Sequence, residues 1–120
     1  MKSPQPGETM TTETKLTAEM RISQLAQTFP CLRGKPGVAP WDVMKLLRWA
    51  MVASHGEALA VKFVLSVWNP STDWEEFAIE QKIMKKGCSF SRFNLSEAMH
   101  CWDSANIAAL AAWINRPFFP

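Results

Sequence analysis

The stretch Pro40-Trp41-Asp42-Val43-Met44-Lys45-Leu46-Leu47-Arg48-Trp49-Ala50-Met51-Val52-Ala53-Ser54 decides the fold class. Pro40 stands where a first helical residue is expected, because its fixed φ suits a helix start and its missing N–H would have had no partner there. A helix over 41–54 follows. Val43, Leu46, Leu47, Ala50 and Met51 form one apolar stripe, Met44, Trp49, Val52 and Ala53 cover most of the rest, and only Asp42, Lys45 and Arg48 are polar. A helix apolar over most of its circumference belongs at the centre of a helical fold.

Upstream, Leu16, Met20, Ile22, Leu25, Ala26 and Phe29 recur at helical spacing over 17–29, with Thr17 as N-cap and Pro30 as the stop. Residues 30–39 hold Gly34, Pro36 and Gly37 and read as an irregular connection. Downstream, His55-Gly56 breaks the chain before a second helix over 57–68. Its Val61-to-Trp68 half also has the composition of a buried strand, but Leu59, Phe63 and Val67 keep a spacing of four until Asn69-Pro70 ends it.

Over 71–93 two readings compete. Thr72 with Glu75 resembles a capping box and predicts a helix to about Lys86, stopped by Gly87; the alternation of Phe77, Ile79, Gln81 and Ile83 allows instead a small β-hairpin over 76–93. Asn94 with Glu97 opens a short helix in which Leu95, Ala98, Met99 and Trp102 share a face. Asp103 caps a last helix, Ser104 to Asn115, with a buried stripe of Ile107, Leu110, Ala111 and Ile114. Alanines at 105, 108, 109 and 112 allow another helix to approach it closely. The expected fold class is therefore all-α: a single compact domain of about five helices over 15–120, with the last helix packed on 41–54. A polar arm over 1–14 holds too little apolar surface to offset the entropy of ordering it and is expected to be disordered. Met10 offers a second start within that arm.

Composition bounds the function. The chain has 120 residues, room for one core. Its net charge of +2 is uneven: Lys15 to Trp68 holds seven bases against three acids, while Asn69 onward holds five against six. That bias falls well short of the dense basic face that phosphate binding requires. No run approaches the roughly 18 apolar residues of a membrane span, and the first residues lack the apolar core of a signal peptide, so no membrane partner and a cytoplasmic location are expected. Cys31, Cys88 and Cys101 are odd in number and widely spaced, which suits reduced, buried thiols rather than a disulfide scaffold.

Four constellations bear on chemistry. His100 has Glu97 three residues before it and Asp103 three after, the flanking of an oriented imidazole, so a small enzyme or metal protein centred on His100 is one reading. The potential ligands Cys31, His55, Cys88, His100 and Cys101 have no metal-binding spacing, and no cofactor is expected. Cys88 follows Lys85-Lys86 but lacks a nucleophile motif, and Gly34-Lys35-Pro36-Gly37 is no phosphate loop. A second reading is a nucleic-acid-associated helical protein that uses Arg33, Lys35 and Arg48; the apolar helix after His55-Gly56 is ill suited to a DNA groove.

The aromatic set, six Trp and seven Phe with no Tyr, carries the leading reading. Trp49, Phe63, Trp68, Trp102 and Trp113 fall in or beside predicted packing stripes, which leaves Trp74, Phe118 and Phe119 as candidate exposed anchors. The expectation is a non-enzymatic interaction or regulatory protein with no catalytic residues. It binds another protein, or a second copy of itself, through those three aromatics.

Overall fold

A computed structural model describes residues 18–120, so the expectations for 1–14 and for the Thr17 cap lie outside the described residues. Helix α1 covers 18–27 and is followed by a 3-10 turn, η1, at Pro30–Leu32. Five helices complete the fold: α2 Val43–Ala50, α3 His55–Trp68, α4 Trp74–Glu80, α5 Leu95–Cys101 and α6 Ser104–Asn115. The architecture is all-α, and among the described residues there is no strand, so the hairpin over 76–93 does not form.

Helix α3, not α2, is the central element. Leu59, Ala60, Val61, Phe63, Val64, Leu65 and Val67 are all buried, which places apolar contacts around nearly its whole circumference, with α2, α5 and η1 packed against it. On α2 only Leu46, Leu47 and Ala50 are buried, and Val52 just beyond it is 82% exposed. The boundary explains the difference. Ser54 adopts an extended conformation and forms a capping box with Glu57: its Oγ accepts from Glu57 N–H at 3.3 Å while Glu57 Oε1 accepts from Ser54 N–H at 2.9 Å. Such a cap removes Ser54 from any preceding helix. At the other end Asp42, whose carboxylate accepts from Lys45 N–H at 3.1 Å, caps α2 two residues after Pro40.

The irregular stretch before α2 is tightly seated. Leu32 and Val38 are fully buried, Ser23 Oγ–H of α1 donates to Val38 O at 2.6 Å, and Gly37, at φ +82°, brings its backbone onto the first turn of α2. A Cβ at Gly37 would collide with Leu46 N and lie 2.5 Å from Asp42 O, so both the turn and the close approach require glycine.

Helix α4 also ends earlier than its pattern predicts. Asp73 rather than Thr72 is its cap, accepting from Glu76 N–H at 3.1 Å. At the C-terminus Lys82 N–H donates to Ile79 O at 3.0 Å and Ile83 N–H to Ala78 O at 2.9 Å, with Lys82 at φ 59°. This is a Schellman termination with lysine at the left-handed position that glycine usually fills. Gly87, at φ +97°, turns the chain later, within an irregular segment.

Helices α5 and α6 start where their caps predict, at Asn94 and Asp103. Their buried faces are narrower than expected. On α5 Ala98 is buried and Trp102 just beyond it, while Leu95 and Met99 are about half exposed, at 52% and 51%. On α6 the inward residues are Asn106, Ala109 and Leu110, while Ile114 is 56% exposed. Helix α6 packs on η1, where Asn106 Oδ1 accepts from Cys31 N–H at 3.5 Å, rather than on α2.

Most of the aromatic set forms one connected core. Phe63 of α3 meets Phe29, Phe93 and Trp113 at centroid distances of 5.6, 5.4 and 5.2 Å, and Trp102 closes a ring through Phe29 at 5.3 Å and Phe93 at 5.7 Å. Such tilted and edge contacts are favourable beyond the area they bury. Trp102 Nε1–H reaches Gly56 O at 2.8 Å and so ties the end of α5 to the first turn of α3.

Candidate interaction face

Of the three predicted anchors, Trp74 belongs mainly to the protein's own packing. It opens α4 half-buried, meets the Phe77 ring edge-on at 5.4 Å and donates its Nε1–H to Leu65 O at 3.2 Å. Phe118 and Phe119 stand together at the end of α6. Pro117 prevents the helix from continuing, and the tail turns back so that Phe118 O accepts from Trp113 Nε1–H at 3.1 Å. Phe118 is half-buried beneath the Arg21 guanidinium, 4.6 Å from the ring centroid. Phe119 contacts Trp113 edge-on at 5.7 Å and remains 60% exposed.

That tail borders a groove between α1 and α6 of about 280 Å³, with Leu25, Ala109, Ala112, Trp113 and Phe118 on its walls and Arg21 and Arg116 as its cations. Two of the four alanines predicted to permit close approach, Ala109 and Ala112, line it. A second groove of about 300 Å³ runs along α1 beside Pro40 and Trp41, and Gln24 lines both. Trp41 meets Trp68 at a tilt, with ring centroids 5.4 Å apart, and its Nε1–H, though shielded from solvent, finds no acceptor among the described residues. Met20 of α1, 57% exposed, lines the second groove. The two grooves flank α1, the one beside α6 carrying the arginines and the one beside Trp41 carrying Glu19, Ser23 and Gln27 together with Met20 and Pro40. Among the described residues neither Arg21 nor Arg116 has a carboxylate at ion-pair distance.

Of the basic residues singled out for nucleic acid, two have contacts within the protein and one is exposed without any among the described residues. Arg33 Nε–H donates to Gln27 O at 2.8 Å; Lys35 pairs with Glu57 at 4.0 Å and lies 5.9 Å from the Trp49 ring centroid; Arg48 is exposed on α2. At His100 the sequence spacing is right but the partners are not. Its Nδ1 sits 2.8 Å from Ser96 O, Glu97 turns instead to His55 Nε2 at 3.5 Å, and Asp103 accepts from Asn106 N–H as the cap of α6. Among the described residues no three His, Cys, Asp or Glu side chains converge as metal ligands.

All three cysteines are free thiols, but only Cys31 is even half-buried. Burial, reinforced by the nearby Glu57 charge, pushes its thiol up to about 11. Cys88 and Cys101 are exposed, contrary to the expectation of buried thiols: Cys88 follows the Gly87 turn, and Cys101 is the last residue of α5. Among the described residues no helix is long and apolar enough to cross a membrane.

Sequence reasoning found the tail but missed α1 as its other wall, and it passed over Lys62 and Arg92. Lys62 did leave a signal, as a single cation inside Leu59-Ala60-Val61-Lys62-Phe63-Val64-Leu65. No family model matches the chain, and neither a curated protein nor a solved structure is significantly similar to it.

Proposed function

We propose that the protein is a non-catalytic interaction module whose α1 face, extended by the C-terminal tail, receives an apolar segment of a partner protein flanked by acidic residues. The observation that carries this reading is Phe119, held 60% exposed against Trp113 beside a groove whose cations are Arg21 and Arg116. An exposed aromatic next to apolar walls is the kind of residue that dominates binding energy, and the arginines add charge selectivity and accelerate encounter. The half-exposed Met20 and Ile114, on α1 and α6, enlarge the apolar surface available to a partner.

Selection of short peptides from a random library on the full chain tests the proposal. Enriched peptides are expected to combine apolar residues with Asp or Glu and to lose affinity by about tenfold on Phe119→Ala, a typical effect for an aromatic anchor. Arg21→Glu should weaken them further and lower their salt dependence. Enrichment of basic peptides, or binding unchanged in both variants, would overturn it. Light scattering of the free chain distinguishes a second copy from a foreign partner: a dimer broken by Phe119→Ala would mean that the face is met by another copy of the chain.

A further inference from the structure

Away from that face, α3 carries a lysine at its mid-point, between the buried apolar runs Leu59-Ala60-Val61 and Phe63-Val64-Leu65. Lys62 is only 9% exposed, and its ammonium lies 5.0 Å from the Phe90 ring centroid with one hydrogen-bond partner, the Ser91 hydroxyl at 3.3 Å. An ammonium has three N–H donors, and burying a cation without a counter-charge is costly. Glu97, the carboxylate whose charge reaches Lys62, turns to His55 Nε2 at 3.5 Å, and the two carboxylates that line the cleft with Lys62 each commit one oxygen to a backbone N–H. Glu75 Oε1 accepts from Phe90 N–H at 2.6 Å, and Asp73 Oδ1 caps α4 through Glu76 N–H at 3.1 Å. Among the described residues no carboxylate comes within ion-pair distance of Lys62.

Lys62 lines a cleft of about 50 Å³ between α3, the start of α4 and residues 90–93, with Arg92 also on its wall. At roughly 10–15 Å³ per water, that holds a few waters or one small oxyanion group. We propose that the cleft binds the carboxylate of a small apolar acid, whose oxygens accept hydrogen bonds from Lys62 Nζ and the Arg92 guanidinium while its body rests against Phe90 and Trp74. The charge of the lining favours a carboxylate over a phosphate. Lys62 and Arg92 are offset by Asp73 and Glu75 in the same wall, so a singly charged anion meets less repulsion than a phosphate dianion.

The test is an amide-resonance titration of the full chain with benzoate, and separately with inorganic phosphate, at constant ionic strength. Saturable shifts with benzoate are expected at Ser66, Phe90 and Ser91. They should weaken by about 10-fold or more in Lys62→Met, as loss of a charged hydrogen bond does, and less in Arg92→Gln, whose exposed side chain leaves the fold untouched. Failure of benzoate to saturate, or equal binding in both variants, would overturn the site. Phosphate binding as tightly as benzoate would overturn its assignment to carboxylates. Because neither variant touches Phe119 or Arg21, these outcomes are independent of peptide binding on the α1 face.

Discussion

At the scale of single residues, two titratable side chains are held against their ordinary chemistry in opposite directions. Desolvation lowers the Lys62 ammonium from its usual range, with Glu97 opposing weakly. The folded state therefore binds that proton less readily than the unfolded chain does, so the penalty is present at neutral pH and is relieved as pH rises through the lowered value toward 10.5. Lys62→Met, which removes the buried charge and keeps the length, is expected to stabilise the protein by on the order of 1 kcal/mol at neutral pH. The gap to wild type should narrow as the pH rises in denaturant titrations, and a constant or widening gap would contradict this account. Cys31 has the opposite sign: the folded thiol ionises near 11 and the unfolded one near 9.0, so its contribution is lost above about pH 9 and is common to both proteins. The same elevation makes Cys31 a poor nucleophile. At pH 8 a disulfide reagent should titrate Cys88 and Cys101 quickly and Cys31 only slowly or after unfolding. Three equally fast thiols would refute the burial of Cys31.

At the scale of elements, helix ends decide which segment becomes the centre. The capping box at Ser54 and the caps at Asp73, Asn94 and Asp103 set where α3 to α6 begin, and two of them, Asn94 and Asp103, were legible from sequence. Ser54 with Glu57 carried the same signal but was hidden by the apolar pattern running through Met51, Val52 and Ala53. Periodicity alone cannot separate a helix surrounded by protein from one that leaves Val52 in solvent, which is why 41–54 read as central and 57–68 did not. The early end of α4 was illegible for a different reason: the left-handed position that closes its Schellman motif is Lys82, not the Gly87 that sequence suggests. A lysine there bears a conformational penalty that glycine avoids, so Lys82→Gly should raise stability by about 0.5–1 kcal/mol in thermal or denaturant unfolding. Destabilisation would mean that the lysine side chain makes a contact outweighing the backbone cost.

For the molecule as a whole, the question raised by so many aromatics is which of them hold the fold together and which remain available to bind. The ring network answers it by connectivity. Phe63, 6% exposed, joins α3 to Phe29 after α1, to Phe93 before α5 and to Trp113 of α6, so four parts of the chain converge on one side chain. Phe119 sits at the rim of the same network with a single ring neighbour, Trp113. Truncating the hub removes packing on several sides, and Phe63→Ala is expected to cost about 3–5 kcal/mol, a large share of the stability of a domain this size. Phe119→Ala removes one edge contact and exposes little new core, so its cost should stay below about 1 kcal/mol. Peptide affinity should respond differently: Phe119→Ala weakens binding while leaving the unfolding midpoint nearly unchanged, and Phe63→Ala lowers the midpoint severely. Measuring midpoint and affinity on both variants separates the roles that composition alone merges. If Phe119→Ala unfolds the chain as readily as Phe63→Ala does, the tail is a closing piece of the core, and the exposed ring cannot be the anchor of an interaction surface.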